Sequence, residues 1–207
     1  MILIGMFDSP FVRRVAVSMR LLGLDFEHRN WSIGQDFDLI RQYNPLGRVP
    51  TLVPDDGQAL FESAAILDWL DEQVGPARAL LPASAAERRR ALKLIATATG
   101  AAEKAVLQLY EHAFRPAERR HPPWTDRCAT QMHAGLAELD AACVGVDRFL
   151  VADRLTQADI TATCVFSFAS DALSLDPAAY PALRAHAARQ EALTAFREIR
   201  APFHAPG

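Results

Sequence analysis

The chain has 207 residues, 50% of them hydrophobic and 23% charged, with a formal net charge of -3. That length fits one large domain or two small ones, and 22 Lys and Arg against 25 Asp and Glu leave no surplus of basic charge to draw nucleic acid or an anionic membrane. No apolar run approaches the roughly 18 to 20 residues that span a bilayer, and Met1-Ile2-Leu3-Ile4-Gly5-Met6 lacks the basic start and small-residue cleavage site of a signal peptide. The expectation is a soluble cytoplasmic protein with neither a membrane nor a nucleic-acid partner.

Ile2-Leu3-Ile4 reads as a short buried strand, ended by Gly5 and the Asp8-Ser9-Pro10 turn. Ser9-Pro10 is a helix start, with serine as N-cap and proline at the first helical position. Val12, Val15, Ala16, Met19 and Leu22 then fall on one helical face, and Gly23 closes the helix. Phe26 to Asn30 reads as a second strand, so this strand–helix–strand unit predicts a parallel crossover. A short helix is expected around Phe37-Asp38-Leu39-Ile40.

Asn44-Pro45-Leu46-Gly47-Arg48-Val49-Pro50 is a turn leading into the apolar strand Thr51-Leu52-Val53. The residue before a proline is pushed into extended geometry, and X-Pro is the peptide bond that is readily cis. A cis Val49–Pro50 bond would let Val49 present its N–H and C=O outward, and an exposed extended backbone captures peptides by strand-like pairing. Taken alone, the pattern equally fits a loop entering a strand. Pro54-Asp55-Asp56-Gly57-Gln58 makes a hairpin between that strand and Ala59-Leu60-Phe61. Glu62-Ser63 opens a helix with Ile66, Leu67, Leu70 and Val74 on its buried side. The first 75 residues therefore read β-α-β-α-β-β-α, a mixed sheet of thioredoxin-like type.

Residues 76–86 have the composition of a linker, and after them only helices are expected, over residues 87–207. A long helix runs from Glu87 to Arg115, with Leu92, Ile95, Thr99, Ala102, Val106 and Leu109 as its stripe, and Pro116 stops it. Thr125 to Cys143 carries Cys128, Met132, Leu136, Leu139 and Cys143 on one face. Thr156-x-x-Asp159 has capping-box spacing, with Leu155 and Ile160 as a staple, before a helix from Ile160 to Ala169 that is apolar nearly all round and predicts the buried centre of the second domain. Pro181 to Arg189 and a short piece through Leu193, Phe196 and Ile199 complete the helices; the pattern gives no reading of the tail Pro202 to Gly207. Cys128, Cys143 and Cys164 are too widely spaced for a disulfide framework or a zinc site, and the six histidines show no ligand spacing, so no metal is expected.

The order of parts, with the motifs Ser9-Pro10-Phe11-Val12-Arg13, Asn44-Pro45-x-Gly47-x-Val49-Pro50, Glu62-Ser63 and Thr156-x-x-Asp159, resembles a cytosolic glutathione transferase of bacterial type over essentially the whole chain. The resemblance implies a homodimer that uses glutathione as co-substrate in detoxification chemistry, its thiol activated as thiolate for attack on a small electrophile. A glutathione-dependent isomerase or thiol-oxidoreductase, and a non-catalytic protein-binding member of the fold, remain alternatives.

By the same resemblance, the Val49 backbone beside Pro50 pairs with the cysteinyl part of glutathione, and Glu62 and Ser63 take its γ-glutamyl end. Ser63 stands at a helix N-terminus, which favours a carboxylate, while Glu62 neutralises the amine; both also serve as a simple helix cap. Arg48, or Gln35 and its neighbours, is a candidate for the glycyl carboxylate. Ser9 is the candidate catalytic residue, as a hydrogen-bond donor to the thiolate, although the same serine caps its helix. It stands where oxidoreductase members carry cysteine. Asp8 would oppose a thiolate if turned inward, and Arg13 would favour one. Phe11 from the first helix, and Tyr110, Phe114 and Trp124 from the second domain, are the candidates for the electrophile's pocket.

Overall fold

The computed structural model describes residues 1–205 and divides into two compact units, one of residues 1–80 with 194–201 and one formed by the remainder. Pro206 and Gly207, the end of the tail that the sequence pattern leaves unread, lie outside the described residues.

The first unit runs β1 (Ile2–Ile4), α1 (Pro10–Leu21), β2 (Glu27–Arg29), α2 (Phe37–Arg41), β3 (Thr51–Val53), β4 (Leu60–Phe61) and α3 (Ser63–Val74). The sheet order is β2-β1-β3-β4, with β1 parallel to β2 and antiparallel to β3, and β3 antiparallel to β4. This is the thioredoxin-like order of elements that the sequence predicts. Side chains alternate across a strand, so Leu3 and Leu52, opposite one another in register, share one face of the sheet. Ile4 and Val53 face the other way and pack with Ile40 of α2. The helix α1 buries Val12, Val15, Ala16 and Met19 and packs against α3, which buries Ile66, Leu67 and Leu70.

The last short helix, α8 (Thr194–Glu198), belongs to this unit, although the sequence pattern groups it with the helices before it. Arg13 is the reason. Its buried guanidinium donates to the Phe196 carbonyl at 3.1 Å and the Ile199 carbonyl at 3.3 Å. Those carbonyls end a helix and have no partner of their own in its ladder. The Phe196 ring is fully buried, with the Arg13 guanidinium carbon 6.0 Å from its centre.

The second unit contains α4 (Ala85–Ala113), a single 3-10 turn at Ala117–Arg119, α5 (Pro122–Cys143), α6 (Gln157–Leu173) and α7 (Pro181–Glu191). The helix α5 begins three residues before the expected Thr125, because Pro122 and Pro123 sit in its first turn, where a missing N–H costs nothing. Of the predicted stripe of α4 only Ala102 is fully buried; Leu92, Ile95, Thr99, Val106 and Leu109 are not. The buried apolar residues are Ala91, Leu94, Ala98, Ala101, Ala102 and Ala105, and Leu92 is 46% exposed. Small side chains win this face because the helices come close: a Cβ on Gly135 of α5 would lie 2.9 Å from the Ala101 Cβ. The larger Leu92, Ile95 and Thr99 are left on a partly open side. The helix α6 is buried from Gln157 to Ala169, as expected for the centre of the unit. The Asp159 carboxylate accepts hydrogen bonds at 2.8 Å from the N–H of Leu150 and from both the N–H and the hydroxyl of Thr156.

Candidate active site

Three segments of the first unit build the site: the β1–α1 turn, the loop before β3, and the start of α3. Gly5 leaves β1 with φ +130, and a Cβ there would lie 2.6 Å from Val12 Cγ2 and 2.8 Å from Val49 Cβ. Glycine is therefore required both by the backbone angle and by this close approach. The Gly5 carbonyl is held by His28 Nε2 at 2.8 Å, and the His28 ring stacks on Phe7 with centroids 3.7 Å apart. Ser9 then caps α1, its Oγ accepting from the Val12 N–H at 3.5 Å. The cap uses only acceptor capacity, so the serine's O–H remains a donor.

The loop before β3 is fixed from inside by Asn44, which is buried. Its amide donates to the Arg48 carbonyl at 2.9 Å and to Thr51 Oγ1 at 3.2 Å, while its oxygen accepts from the Leu46 N–H at 3.0 Å. Gly47 has φ +61 and lies directly against the Phe37 ring, leaving no room for a Cβ. The Val49–Pro50 peptide is cis. Among the described residues, neither the N–H nor the C=O of Val49 takes part in a hydrogen bond, whereas pairing with β1 starts at Thr51.

At the start of α3, Glu62 has φ 73, a conformation that costs a non-glycine residue on the order of 1–3 kcal/mol. Its carboxylate accepts from the Ser63 N–H at 3.2 Å and lies 3.7 Å from the Arg48 guanidinium. Ser63 is buried, and its Oγ accepts two hydrogen bonds from Arg14 of α1, at 3.1 and 2.7 Å.

These segments enclose a cavity of about 260 Å³. Its polar lining is Asn44, Arg48 and Glu62, and its apolar walls are Phe11, Leu46, Val49, Pro50 and Phe61. Of the residues picked out in the sequence, Arg48, Val49, Pro50, Glu62 and Phe11 meet here. Ser9, Ser63 and Gln35 do not line it; Ser9 lies two residues from Phe11, and Ser63 directly follows Glu62. The aromatic candidates of the second unit form their own contacts: Tyr110 and Phe114 meet edge-on at 5.2 Å, and Lys104 lies 5.8 Å above the Trp124 ring. Arg13 donates to the Phe196 and Ile199 carbonyls at α8. Asn44, Leu46 and Phe61 were missed as site residues, and so were Arg14 and His28 behind the site. The Asn44-Pro45 turn signal was the clue to the first; nothing in local spacing links Arg14 to Ser63, 49 positions away.

Cys128, Cys143 and Cys164 are buried and in no disulfide, and burial pushes the Cys143 thiol up to about 12, so this thiol is not poised for exchange. Among the described residues no group of three or more His, Cys, Asp and Glu is placed to hold a metal ion, and no helix is long and apolar enough to cross a membrane.

The models for the glutathione S-transferase N-terminal domain and C-terminal domain match residues 3–78 and 122–189. The maleylpyruvate isomerase of Ralstonia sp is 30% identical, with 94% of each chain covered. The chain belongs to the glutathione S-transferase family. Another relative is the protein named Uncharacterized GST-like protein YibF from Escherichia coli (strain K12), 30% identical with 80% of each chain covered. Among solved structures, a glutathione S-transferase from Methylobacterium radiotolerans in complex with glutathione sulfonate superposes with a TM-score of 0.91 at 29% identity, covering 98% of this chain and 95% of that one. The fold class follows from these likenesses: a thioredoxin-like N-terminal domain with a four-stranded mixed sheet, and a helical glutathione S-transferase C-terminal domain.

Proposed function

We propose that this glutathione S-transferase family member binds glutathione in the Val49–Glu62 cavity and transfers the glutathionyl group to a small electrophile. The observation that carries the reading is the unpaired Val49 backbone beside the cis Pro50 on the cavity wall. An extended cysteinyl segment would pair with both of its polar groups. Glu62 would take the γ-glutamyl amine, the start of α3 at Ser63 its carboxylate, and Arg48 the glycyl end. The glutathione sulfonate complex of the Methylobacterium radiotolerans relative supports the choice of ligand.

A free thiol has a pKa near 8.5 and is mostly protonated at neutral pH. The Ser9 O–H and the N-terminus of α1 both favour negative charge at the sulfur. Lowering the thiol pKa by ~2 units asks for about 2.7 kcal/mol, a size that one charge-assisted hydrogen bond with a helix terminus can supply. The thiolate then forms a C–S bond with an activated halide, displacing halide, or adds to an enone. Phe11, on the apolar wall of the cavity, is assigned to the electrophile. We further assign a cytoplasmic homodimer, supported by the partly open Leu92, Ile95 and Thr99 face of α4, which a second copy would cover.

The maleylpyruvate isomerase relative favours one second reading, a cis–trans isomerase in which the thiolate adds and is then expelled. The test is product analysis with glutathione and each substrate class. A stable thioether supports transfer, an isomerised acid with glutathione unchanged supports the second reading, and neither product with any substrate refutes both.

A further inference from the structure

Arg13 is the fourth residue of α1 and is 4% exposed. Both facts count against a cation there. Burial strips the guanidinium of water, and the N-terminal end of a helix is its positive end. The charge is held by the far end of the chain, since the Nε–H and an Nη2–H donate to the Ile199 and Phe196 carbonyls. Arg20, seven positions on and on the same helical face, comes only to 4.0 Å from the Glu198 carboxylate, and both of those side chains are open to solvent. Such a pair holds little, so Arg13 is the anchor between α1 and α8.

The main chain of the same residue has a second task. The Arg13 N–H donates to the Ser9 carbonyl at 2.9 Å and closes the first hydrogen-bonded turn of α1. That turn carries Ser9 at its cap and Phe11 on the cavity wall. Helix ends are where the ladder is incomplete and where fraying begins. The Ser9 side chain adds little restraint, its cap bond from the Val12 N–H being 3.5 Å long. Arg13 therefore joins the turn that presents Ser9 to a helix 183 positions further along the chain.

We propose that Arg13 is a positioning residue: by tying the first turn of α1 to α8, it holds the Ser9 hydroxyl on the sulfur of bound glutathione. The inference rests on the glutathione reading above and adds to it that the C-terminal helix α8 belongs to the apparatus of thiol activation. Arg13 does this without lining the cavity.

The test follows the thiolate absorbance of the glutathione complex against pH in full-length proteins: the wild type, Arg13→Met, Phe196→Ala, Ser9→Ala and the double variant Ser9→Ala with Arg13→Met. Phe196→Ala removes the buried ring beside the guanidinium and keeps the Arg13 charge, so it loosens the link without removing a cation. Arg13→Met and Phe196→Ala should each raise the apparent pKa of the bound thiol by about half a unit to one unit. That is a part of the one to two units expected when the donor is lost outright. On top of Ser9→Ala, Arg13→Met should add less than about 0.3 unit, because a residue that acts through Ser9 then has nothing left to position. A full further rise in the double variant would mean that the Arg13 charge acts on the thiolate directly, and overturns the proposal. So does a folded Arg13→Met or Phe196→Ala that titrates with the wild type, even at a lower Tm, since that is the mark of a purely structural role. Phe196→Ala carries the test if Arg13→Met does not fold, and the milder Phe196→Leu stands in if neither does. A wild type that binds no glutathione overturns the glutathione reading itself.

Discussion

Ser9 has two separable jobs, and replacing it by glycine and by alanine separates them. As N-cap it accepts from the Val12 N–H at 3.5 Å, the long limit of a hydrogen bond. A serine cap is worth roughly 0.5–2 kcal/mol over alanine, and this long contact argues for the low end, near 0.5 kcal/mol. That corresponds to a fall in Tm of about 1–2 °C for a chain of this size. Glycine at a cap costs only a few tenths of a kcal/mol, so Ser9→Gly should melt almost with the wild type. The donor job is larger. A hydrogen bond to a charged group is worth about 1.5–3 kcal/mol, or about one to two pKa units on the bound thiol. Loss of a donor destabilises the thiolate, so the pKa must rise. The assay is the ultraviolet absorbance of thiolate in the glutathione complex as pH is raised. Both variants should titrate one to two units above the wild type despite their different melting behaviour. An unchanged titration in both variants would refute the donor role and leave Ser9 as a helix cap.

Gly5→Ala should be severe, because its Cβ would meet Val12 at 2.6 Å and Val49 at 2.8 Å at φ +130; we expect about 1–3 kcal/mol lost in denaturant melts together with weaker glutathione binding, and an unaltered affinity would show that the Gly5–Val49 contact does not shape the site. His28→Leu removes the bond to the Gly5 carbonyl and the Phe7 stack; turnover should fall several-fold with little change in KM, and His28→Gln, which restores a donor, should recover part of it. In the second unit, His186 is fully buried, its Nε2 lies 3.4 Å from Asp159 Oδ1, and neither ring nitrogen has a hydrogen-bond partner among the described residues. Burial lowers its pKa, an effect opposed by Asp159 and assisted by Arg189. The unfolded chain then binds the extra proton, so stability should be complete above about pH 6.5 and fall as pH drops from there toward the lowered folded value. Melts across pH 5–7 should show this slope, and His186→Gln should flatten it; an equal slope in the variant would assign the effect to other groups.

The sequence carried the elements well where one local signal decided them. Ser9-Pro10 marked the start of α1 and Val49-Pro50 the turn before β3, because proline and a cap act within a few residues. The face of α4 was misread because period alone ranks leucine above alanine, whereas the close approach of α5 at Gly135 selects alanine. The place of α8 was equally hidden: it is decided by Arg13, which reaches carbonyls 183 and 186 positions away. In the site, Val49, Pro50, Glu62 and Arg48 were legible as parts of motifs and do meet at one cavity. Asn44, Arg14 and His28 were not, since each works by a hydrogen bond whose partner only the folded chain brings near.

The central claim is that the cavity beside Val49 is a glutathione site. Calorimetric titration of the purified chain with reduced glutathione, run beside Ser63→Ala, tests it most directly. The account predicts binding between micromolar and millimolar, about -8 to -4 kcal/mol, with marked loss in the variant. No heat of binding with the wild type, at concentrations well into the millimolar range, would contradict it and leave a family fold whose cavity serves another ligand.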